Sequence, residues 1–517
     1  MSFRRVLRNV VSSWVGYAAT LLVGFFLSPL VVHSLGAAGY GVWTLVVSLT
    51  GYCGLLDLGL RSSVVRFVVR YVAQNDHKKV NATLSSALAM LTGAGILAFV
   101  VTVVIHFTFG MSTIDPGLRS AAQVALLITG LNVSLILPLS VFSAILPSIE
   151  RFDVMNAITV CGALLRAVLV VTVLKSGHGI VALSMVTLGV SSAEYATMAI
   201  AARALYPALR LSWHSIDAAS CRELFGFGLF RFVWIVANQL IFYTDSVVIG
   251  VFLNASAITS YAIAGSLINY GRNIVSLAID TLFPAVTRFH TKNDLAGLRR
   301  IYILGTRIGL LMGFSLCIGY VFFGRSFIHL WMGENYYISS ATILFVLTLP
   351  QFASMPQYMS ALVLLGTARH KLLALIAVGE AIINLCLSIV LVQRMGVIGV
   401  AWGTALPHII TTALVLPYFT LRAVDMKLGD YLRRTYVMAI VCAIPTGLTS
   451  YALARFNAAT TWYILVIDLS VQCALFGLLS YFICLSRDER GVLRDTVIRI
   501  IRRQRTIGEE MARATGT

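Results

Sequence analysis

Residues 83–107 read TLSSALAMLTGAGILAFVVTVVIHF, and none of them is Asp, Glu, Lys or Arg. As a helix rising ~1.5 Å per residue the run is nearly 40 Å long, enough to cross the ~30 Å hydrocarbon core of a bilayer. It is apolar on every side rather than on alternate residues, which excludes a strand of a membrane β-barrel. Immediately before it, residues 61–82 carry Arg61, Arg66, Arg70, Lys78 and Lys79. An uncharged run beside a basic connection reads as a membrane span whose basic flank stays in the cytoplasm.

The same pattern repeats along all 517 residues. Apolar runs of span length cover Val10–Val32, Gly41–Leu60, Thr83–Phe107, Ala121–Leu146, Val154–Leu174, Ile180–Ala202 and Phe225–Leu253. Seven more cover Ile258–Phe283, Ile303–Phe323, Ala341–Leu365, Leu372–Val392, Val397–Thr420, Val437–Leu453 and Tyr463–Leu485. Apolar residues make up 58% and charged residues 12% of the chain, where a soluble protein needs about a quarter charged. The fold class predicted is an all-α polytopic membrane protein with about 14 transmembrane helices. The first run is too long for the core of a signal peptide and lacks a small-residue cleavage site, so it counts as a helix.

A net charge of +18 would suggest nucleic acid as the partner of a soluble chain. Here the position of the cations answers the question. With the N-terminus inside, thirty of the 39 Lys+Arg fall in cytoplasmic segments and five (Arg119, Lys175, Arg325, Arg394, Arg455) in outer ones. That asymmetry predicts both termini on the cytoplasmic side and excludes a nucleic-acid role for the charge. The remaining four, Arg166, Arg231, Arg272 and Arg307, lie inside spans. In the tail, residues 486–517, Val492, Leu493, Val497, Ile500 and Ile501 are interleaved with arginines. This is either a basic helix on an anionic leaflet or a solvated topology anchor. Eight scattered cysteines without a C-x-x-C pair predict neither a disulfide framework nor a metal site.

A weak internal repeat is visible. Leu35, Ala37, Leu45, Ser48 and Leu49 recur 218 residues on as Leu253, Ala255, Ile263, Ser266 and Leu267, and Lys175, Gly177 and Ala182 recur 219 on as Arg394, Gly396 and Ala401. The offset predicts two six-helix lobes related by a pseudo-two-fold along the membrane normal. They would be residues 1–205 and 225–420, joined by a cytoplasmic linker at 206–224, with two further helices in 421–485.

Particular motifs fall on this frame: Leu55-Leu-Asp-Leu-Gly-Leu60 followed by Arg66 and Tyr71, Glu150-Arg-Phe-Asp153, Phe283-Pro-Ala285 with Leu298-Arg-Arg300, and Asn384-Leu-Cys-Leu-Ser388 leading into Gly396-Val-Ile-Gly-Val-Ala-Trp-Gly403. In order and spacing, from helix 1 to helix 12, the chain resembles the bacterial polysaccharide repeat-unit (O-antigen or exopolysaccharide type) flippases of the multidrug/oligosaccharidyl-lipid/polysaccharide exporter superfamily. The resemblance implies translocation of undecaprenyl-diphosphate-linked oligosaccharide from the inner to the outer leaflet of the bacterial cytoplasmic membrane by alternating access. It also implies polysaccharide polymerase or export proteins as neighbours.

A diphosphate crossing hydrocarbon needs cationic partners in a wet cavity. Arg272 and Arg166, each near the middle of a span, are the first candidates for substrate binding. An ion pair with Asp245 or Glu380 is the structural alternative for Arg272. Arg231 and Arg307 lie within reach of the cytoplasmic face and can snorkel, and Arg231 is kept with the substrate candidates. Arg61 and Arg66, at the inner end of helix 2, could receive the diphosphate or merely anchor topology. Among the acids within spans, Asp245, Glu194, Glu380 and Asp57 are candidates either for pairing with arginine or for binding a coupling proton or sodium ion. His408 reads as a satisfied polar group or a proton relay. No cofactor or metal is predicted. No G-x-x-x-x-G-K-[ST] loop exists for nucleotide, and no G-x-S-x-G or H-E-x-x-H signature exists for an enzyme. The short outer loops offer only Asp115, Arg119, Arg325, His329 and Glu334, too few groups for a glycan polymerase or ligase. A cation-coupled multidrug exporter of the same superfamily is the alternative reading.

Overall fold

The computed structural model describes residues 3–108, 114–457, 459–484 and 490, with side chains at 3–15, 226–235 and 237–242 outside the description. The basic tail therefore lies almost wholly outside the described residues, as does the side chain of Arg231. Every described element is helical. In chain order they are α1 (Phe3–Cys53), α2 (Leu60–Ala73), α3 (His77–Thr108), α4 (Pro116–Ser143), α5 (Ile145–Ser148), α6 (Phe152–Lys175), α7 (Ile180–Leu205), α8 (Ala218–Phe252) and α9 (Ala255–Asp280). They continue as α10 (Phe283–Thr291), α11 (Leu295–Met332), α12 (Glu334–Thr348), α13 (Gln351–Gly366), α14 (His370–Met395), α15 (Val397–Ile410), α16 (Leu416–Ala423), α17 (Leu428–Phe456) and α18 (Trp462–Leu479). By length and composition ten helices can cross a membrane, or eleven counting one bent pair, among the described residues. The chain is an all-α polytopic membrane protein.

Three of the differences from the fourteen apolar runs have local causes; a fourth, the seventh run, is counted only over Tyr243–Phe252 because most side chains before it lie outside the described residues. The first two runs form one continuous helical stretch bent at Gly36, whose φ of 70° and ψ of 175° are not helical. Only glycine adopts that conformation cheaply. The tenth run is the pair α12 and α13, bent by 47° at Pro350, where a proline cannot complete the backbone ladder. The eighth run, α9, is too polar to pass as a span by hydropathy, and Arg272 lies within it.

Packing divides the chain into two compact units. Unit 1 comprises Met1–Tyr270, Trp331–Pro350 and Ala368–Val415; unit 2 comprises Gly271–Leu330, Gln351–Thr367 and Leu416–Thr517. Compactness follows packing and need not follow repetition in sequence. The core of unit 1 includes Leu84, Leu91, Ala98, Leu137 and Val141 of α3 and α4 together with Val64 and Phe67 of α2. In unit 2, Gly305, Gly309 and Gly313 line one face of α11 and admit α13. A Cβ on Gly309 would stand 2.8 Å from the Pro356 Cα, and one on Gly313 would stand 2.8 Å from the Met355 Cβ. This is the close approach of a small-xxx-small face. Gly177 and Gly396, equivalent in the repeat, both take positive φ, 77° and 61°, at the ends of α6 and α14.

The Leu55–Leu60 motif breaks the chain between α1 and α2. Helix α1 ends at Cys53, a 3-10 turn covers Gly54–Asp57, and Leu58 and Gly59 are both left-handed. The run predicted to end at Leu60 is thus helical only to Cys53, and Leu60 already starts α2. The connection 206–224 is fastened to α3. Asn81 donates to the Ala208 carbonyl and accepts from the Arg210 amide, both at 2.9 Å, while the amides of Ser212 and Asp217 donate to Ser85 and Ser86. Asp217 then caps α8, accepting from the Ala219 and Ser220 amides at 3.2 and 3.1 Å. Those amides and the Ser220 hydroxyl hold its carboxyl below the usual carboxylate range. A depressed value means that the cap stabilises above the ordinary Asp pKa and weakens as pH falls through the lowered one. Asp217→Asn is therefore expected to reduce the acid-induced loss of thermal stability between neutral and strongly acidic buffer. Parallel melting curves of the purified proteins would check this.

Candidate functional site

A polar cluster is buried in unit 1 where α8, α9, α14 and α15 meet. Asp245 of α8 is 3% exposed. Its Oδ2 accepts hydrogen bonds from the Tyr261 hydroxyl of α9 and, at 2.8 Å, from Thr404 of α15. Thr404 in turn accepts from the Asn384 amide of α14 at 2.9 Å. One turn along the same helix pair, Glu380 meets His408, with Nδ1 to Oε1 at 2.7 Å. Residues 380 and 384, like 404 and 408, are four apart and share a helix face, so the pair carries two polar rungs. The closeness of α14 and α15 comes from Gly403: a Cβ there would lie 2.3 Å from Ser388 Oγ and 2.6 Å from its Cα. The Asn384–Ser388 and Gly396–Gly403 motifs are thus the two sides of one contact.

The cluster has unused acceptors. Asp245 Oδ1 and Asn384 Oδ1 are buried without a hydrogen-bond partner, as are Ser388 Oγ and His408 Nε2. Oxygens left unpaired in a low-dielectric interior suit a proton or a hard cation, although no group of three or more His, Cys, Asp and Glu residues fit to hold a metal occurs among the described residues. While Thr404 keeps the Val400 carbonyl at 3.2 Å, Asp245→Ala would take from the Tyr261 hydroxyl the carboxylate it donates to, at about 1–3 kcal/mol for the lost acceptor. It is expected to lower the melting temperature well below that of Asp245→Asn, which keeps an acceptor oxygen. A thermal-shift series in detergent would measure the difference.

The structure places the predicted arginines in separate settings. In unit 1, Arg166 of α6 is half-buried and donates from Nη2 to Ser191 of α7 at 3.1 Å, while its buried Nε makes no hydrogen bond. Glu194 packs over Gly162 and feels the Arg166 charge without closing an ion pair. In unit 2, Arg272 donates from Nε to the Tyr358 hydroxyl at 3.0 Å. Hydroxyls donate to the Asp245 carboxylate, and His408 is a partner of Glu380. Arg307 of α11 donates to the Arg434 carbonyl at 2.8 Å. Asp57 serves locally: it accepts from the Arg61 amide at 3.2 Å and stands 3.9 Å from its guanidinium.

Helix α2 lays Leu60, Val64, Phe67, Val68 and Tyr71 on the core and leaves Arg66 and Arg70 exposed. Arg66 lies 6.0 Å from the Phe67 ring, and Arg70 lies 5.7 Å from the Tyr71 ring. Arg61 and Arg66 therefore belong to an amphipathic helix and not to the end of a span. Sequence reasoning missed Tyr261, Thr404, Ser191 and Tyr358 because an isolated hydroxyl residue in an apolar run carries no signal until its partner is known. Asn384 was visible only as part of a motif.

Known proteins share this architecture. Residues 6–290 match the family described as polysaccharide biosynthesis protein. A candidate O-antigen transporter of Shigella flexneri is 24% identical over 425 residues, covering 81% of this chain and 98% of its own length. Among solved structures, the lipid II flippase MurJ in an inward closed conformation superposes with a TM-score of 0.71 at 14% identity, covering 92% of this chain and 98% of that one. An inward-facing multidrug resistance transporter of the MATE family gives 0.64 at 13% identity, over 78% and 94%. At such identities these structures establish the fold. With the family match spanning more than half of its length, this chain belongs to the polysaccharide biosynthesis protein family.

Proposed function

We propose that the protein is a flippase, not an enzyme. In this reading it translocates undecaprenyl-diphosphate-linked oligosaccharide repeat units across the bacterial cytoplasmic membrane by alternating access, for cell-surface polysaccharide assembly. Both termini would face the cytoplasm, and the product would pass to a polymerising or exporting partner. The O-antigen transporter assignment of the Shigella relative, aligned over nearly its whole length, supports the substrate class.

The observation that carries the reading is the setting of Arg166. A guanidinium is held within a span against a neutral serine, with Nε left over. A hydroxyl partner does not neutralise the charge, Glu194 acts on it without closing an ion pair, and a phosphate oxygen can displace the serine with a stronger, charge-assisted bond. Arg272, which donates to the Tyr358 hydroxyl, is a second guanidinium within a span. On the cytoplasmic side, the exposed arginines of α2 would gather the anionic headgroup. Asp245 with Asn384 and Thr404, and Glu380 with His408, would take up the proton or sodium ion that gives transport its direction. Neutralising such a charge within the bilayer changes helix packing energetics by several kcal/mol.

The test is reconstitution. Proteoliposomes carrying a fluorescent polyprenyl-diphosphate oligosaccharide should expose it to an outer-leaflet lectin only when the protein is present, and faster with an imposed sodium or proton gradient. If a gradient leaves the rate unchanged and organic-cation dyes are expelled instead, the substrate assignment fails.

A further inference from the structure

Helix α18 carries a single acidic side chain, and it faces inward. The buried stripe of this helix is Leu465, Asp468, Gln472 and Phe476, spaced as one face of an α-helix. Asp468 and Gln472 are each 1% exposed. Asp468 Oδ1 accepts from the Asn457 amide at the end of α17, at 2.9 Å, and its Oδ2 has no partner. Gln472 donates from Nε2 to the Ser315 carbonyl of α11 at 2.8 Å, which fixes the amide and leaves Oε1, also without a partner, near Gly319. Two acceptor oxygens one helical turn apart are therefore buried with no donor to satisfy either.

Apolar packing borders the pair. Phe323, Ala459 and Leu465 form a core cluster with Phe322 and Leu469 against it. The packed elements also carry ionisable groups, among them Cys317, Tyr320, Arg325 and His329 of α11, Tyr451 and Arg455 of α17 and, on α18 itself, Tyr463 and Cys473, whose thiol lies 4.0 Å from Ser315. Asn457 is the partner the structure gives Asp468. A carboxylate held so in a bilayer is costly unless a positive charge joins it.

We infer that Asp468 and Gln472 form a binding site for one monovalent cation, a sodium ion or a proton, bridging Asp468 Oδ2 and Gln472 Oε1. Asn457, exposed at the α17–α18 connection, marks the side from which the cation arrives. This site lies in unit 2 and is distinct from the Asp245 cluster of unit 1. It stands whether or not the proposed lipid-linked substrate is correct.

Infrared difference spectroscopy of the full chain in liposomes tests it. In one arm sodium replaces choline at constant alkaline pH. In the other, sodium-free buffer is acidified. Wild type should show either a sodium-induced shift of carboxylate and amide bands or the appearance of a protonated carboxyl band. The component due to this site should be absent from Asp468→Asn, which keeps any contribution of Asp245 and Glu380, and should shift in Gln472→Leu, which removes only the neutral acceptor and remains informative if the first variant fails to insert. The arm in which wild type and the variants differ names the cation. Spectra of wild type that match those of both variants in both arms would overturn the site, whereas loss of flipping activity bears only on the function proposed above.

Discussion

Arg166→Ala is expected to stop surface polysaccharide assembly while the protein still inserts at wild-type levels. The side chain makes one hydrogen bond, to Ser191, and packs at the half-buried edge of α6, so its removal costs the fold little. For a diphosphate passing through the span, the same deletion removes charge-assisted hydrogen bonds worth about 1.5–3 kcal/mol each. That is roughly ten- to a hundredfold in binding per bond lost. Arg166→Lys keeps the charge but not the planar fork and should retain an intermediate rate. Arg272→Ala should behave alike, with Tyr358 losing the guanidinium it accepts from. The measurement is complementation of a strain lacking its own repeat-unit flippase, read as surface polysaccharide against membrane-inserted protein. Normal polysaccharide from either alanine variant at equal protein level would remove that arginine from the transport path.

Gly403→Ala should be among the most damaging single-methyl additions in the chain. The new Cβ would sit 2.3 Å from Ser388 Oγ and 2.6 Å from the Ser388 Cα. A hydroxyl can turn away, but a backbone atom cannot. Helices α14 and α15 would have to separate, and both the Asn384–Thr404 and Glu380–His408 rungs would stretch. Overpacking of this kind costs about 1–3 kcal/mol where neighbours can adjust, and more is expected against backbone. Gly379→Ala, on the same helix α14 with nothing within 4 Å of the added carbon, is the control. It should be neutral or slightly stabilising, because alanine is the better helix former by up to about 1 kcal/mol. Monodispersity and melting temperature in detergent would separate the two variants, and equal behaviour would refute the close contact.

Much of the architecture was legible without coordinates. The uncharged run at 83–107, the grouping of Lys and Arg between runs and the absence of nucleotide or catalytic signatures all describe local properties of consecutive residues. The burial cost of a charge or an unpaired peptide group in hydrocarbon is so large that these properties suffice to specify membrane-spanning helices. The bend at Gly36 and the broken span at Pro350 also have local causes, a glycine and a proline, but the apolar runs alone did not show them. The left-handed pair Leu58–Gly59 was not legible, since leucine in that conformation is uncommon and only its context holds it there.

Which charges meet was settled only by tertiary structure. Asp245, Arg166 and Arg272 stood out in sequence because a charge is rare in an apolar run, yet their hydrogen-bond partners include ordinary hydroxyls that nothing marked: Tyr261 and Thr404, Ser191, and Tyr358. Thr404 stands 159 positions from Asp245. Hydropathy adds up along the chain, so sequence alone determined that this protein is a bundle of membrane helices. Hydrogen bonding is short-ranged and depends on which helix faces touch, so only the folded chain could decide whether a buried charge is neutralised, merely solvated by a hydroxyl, or left waiting for a ligand.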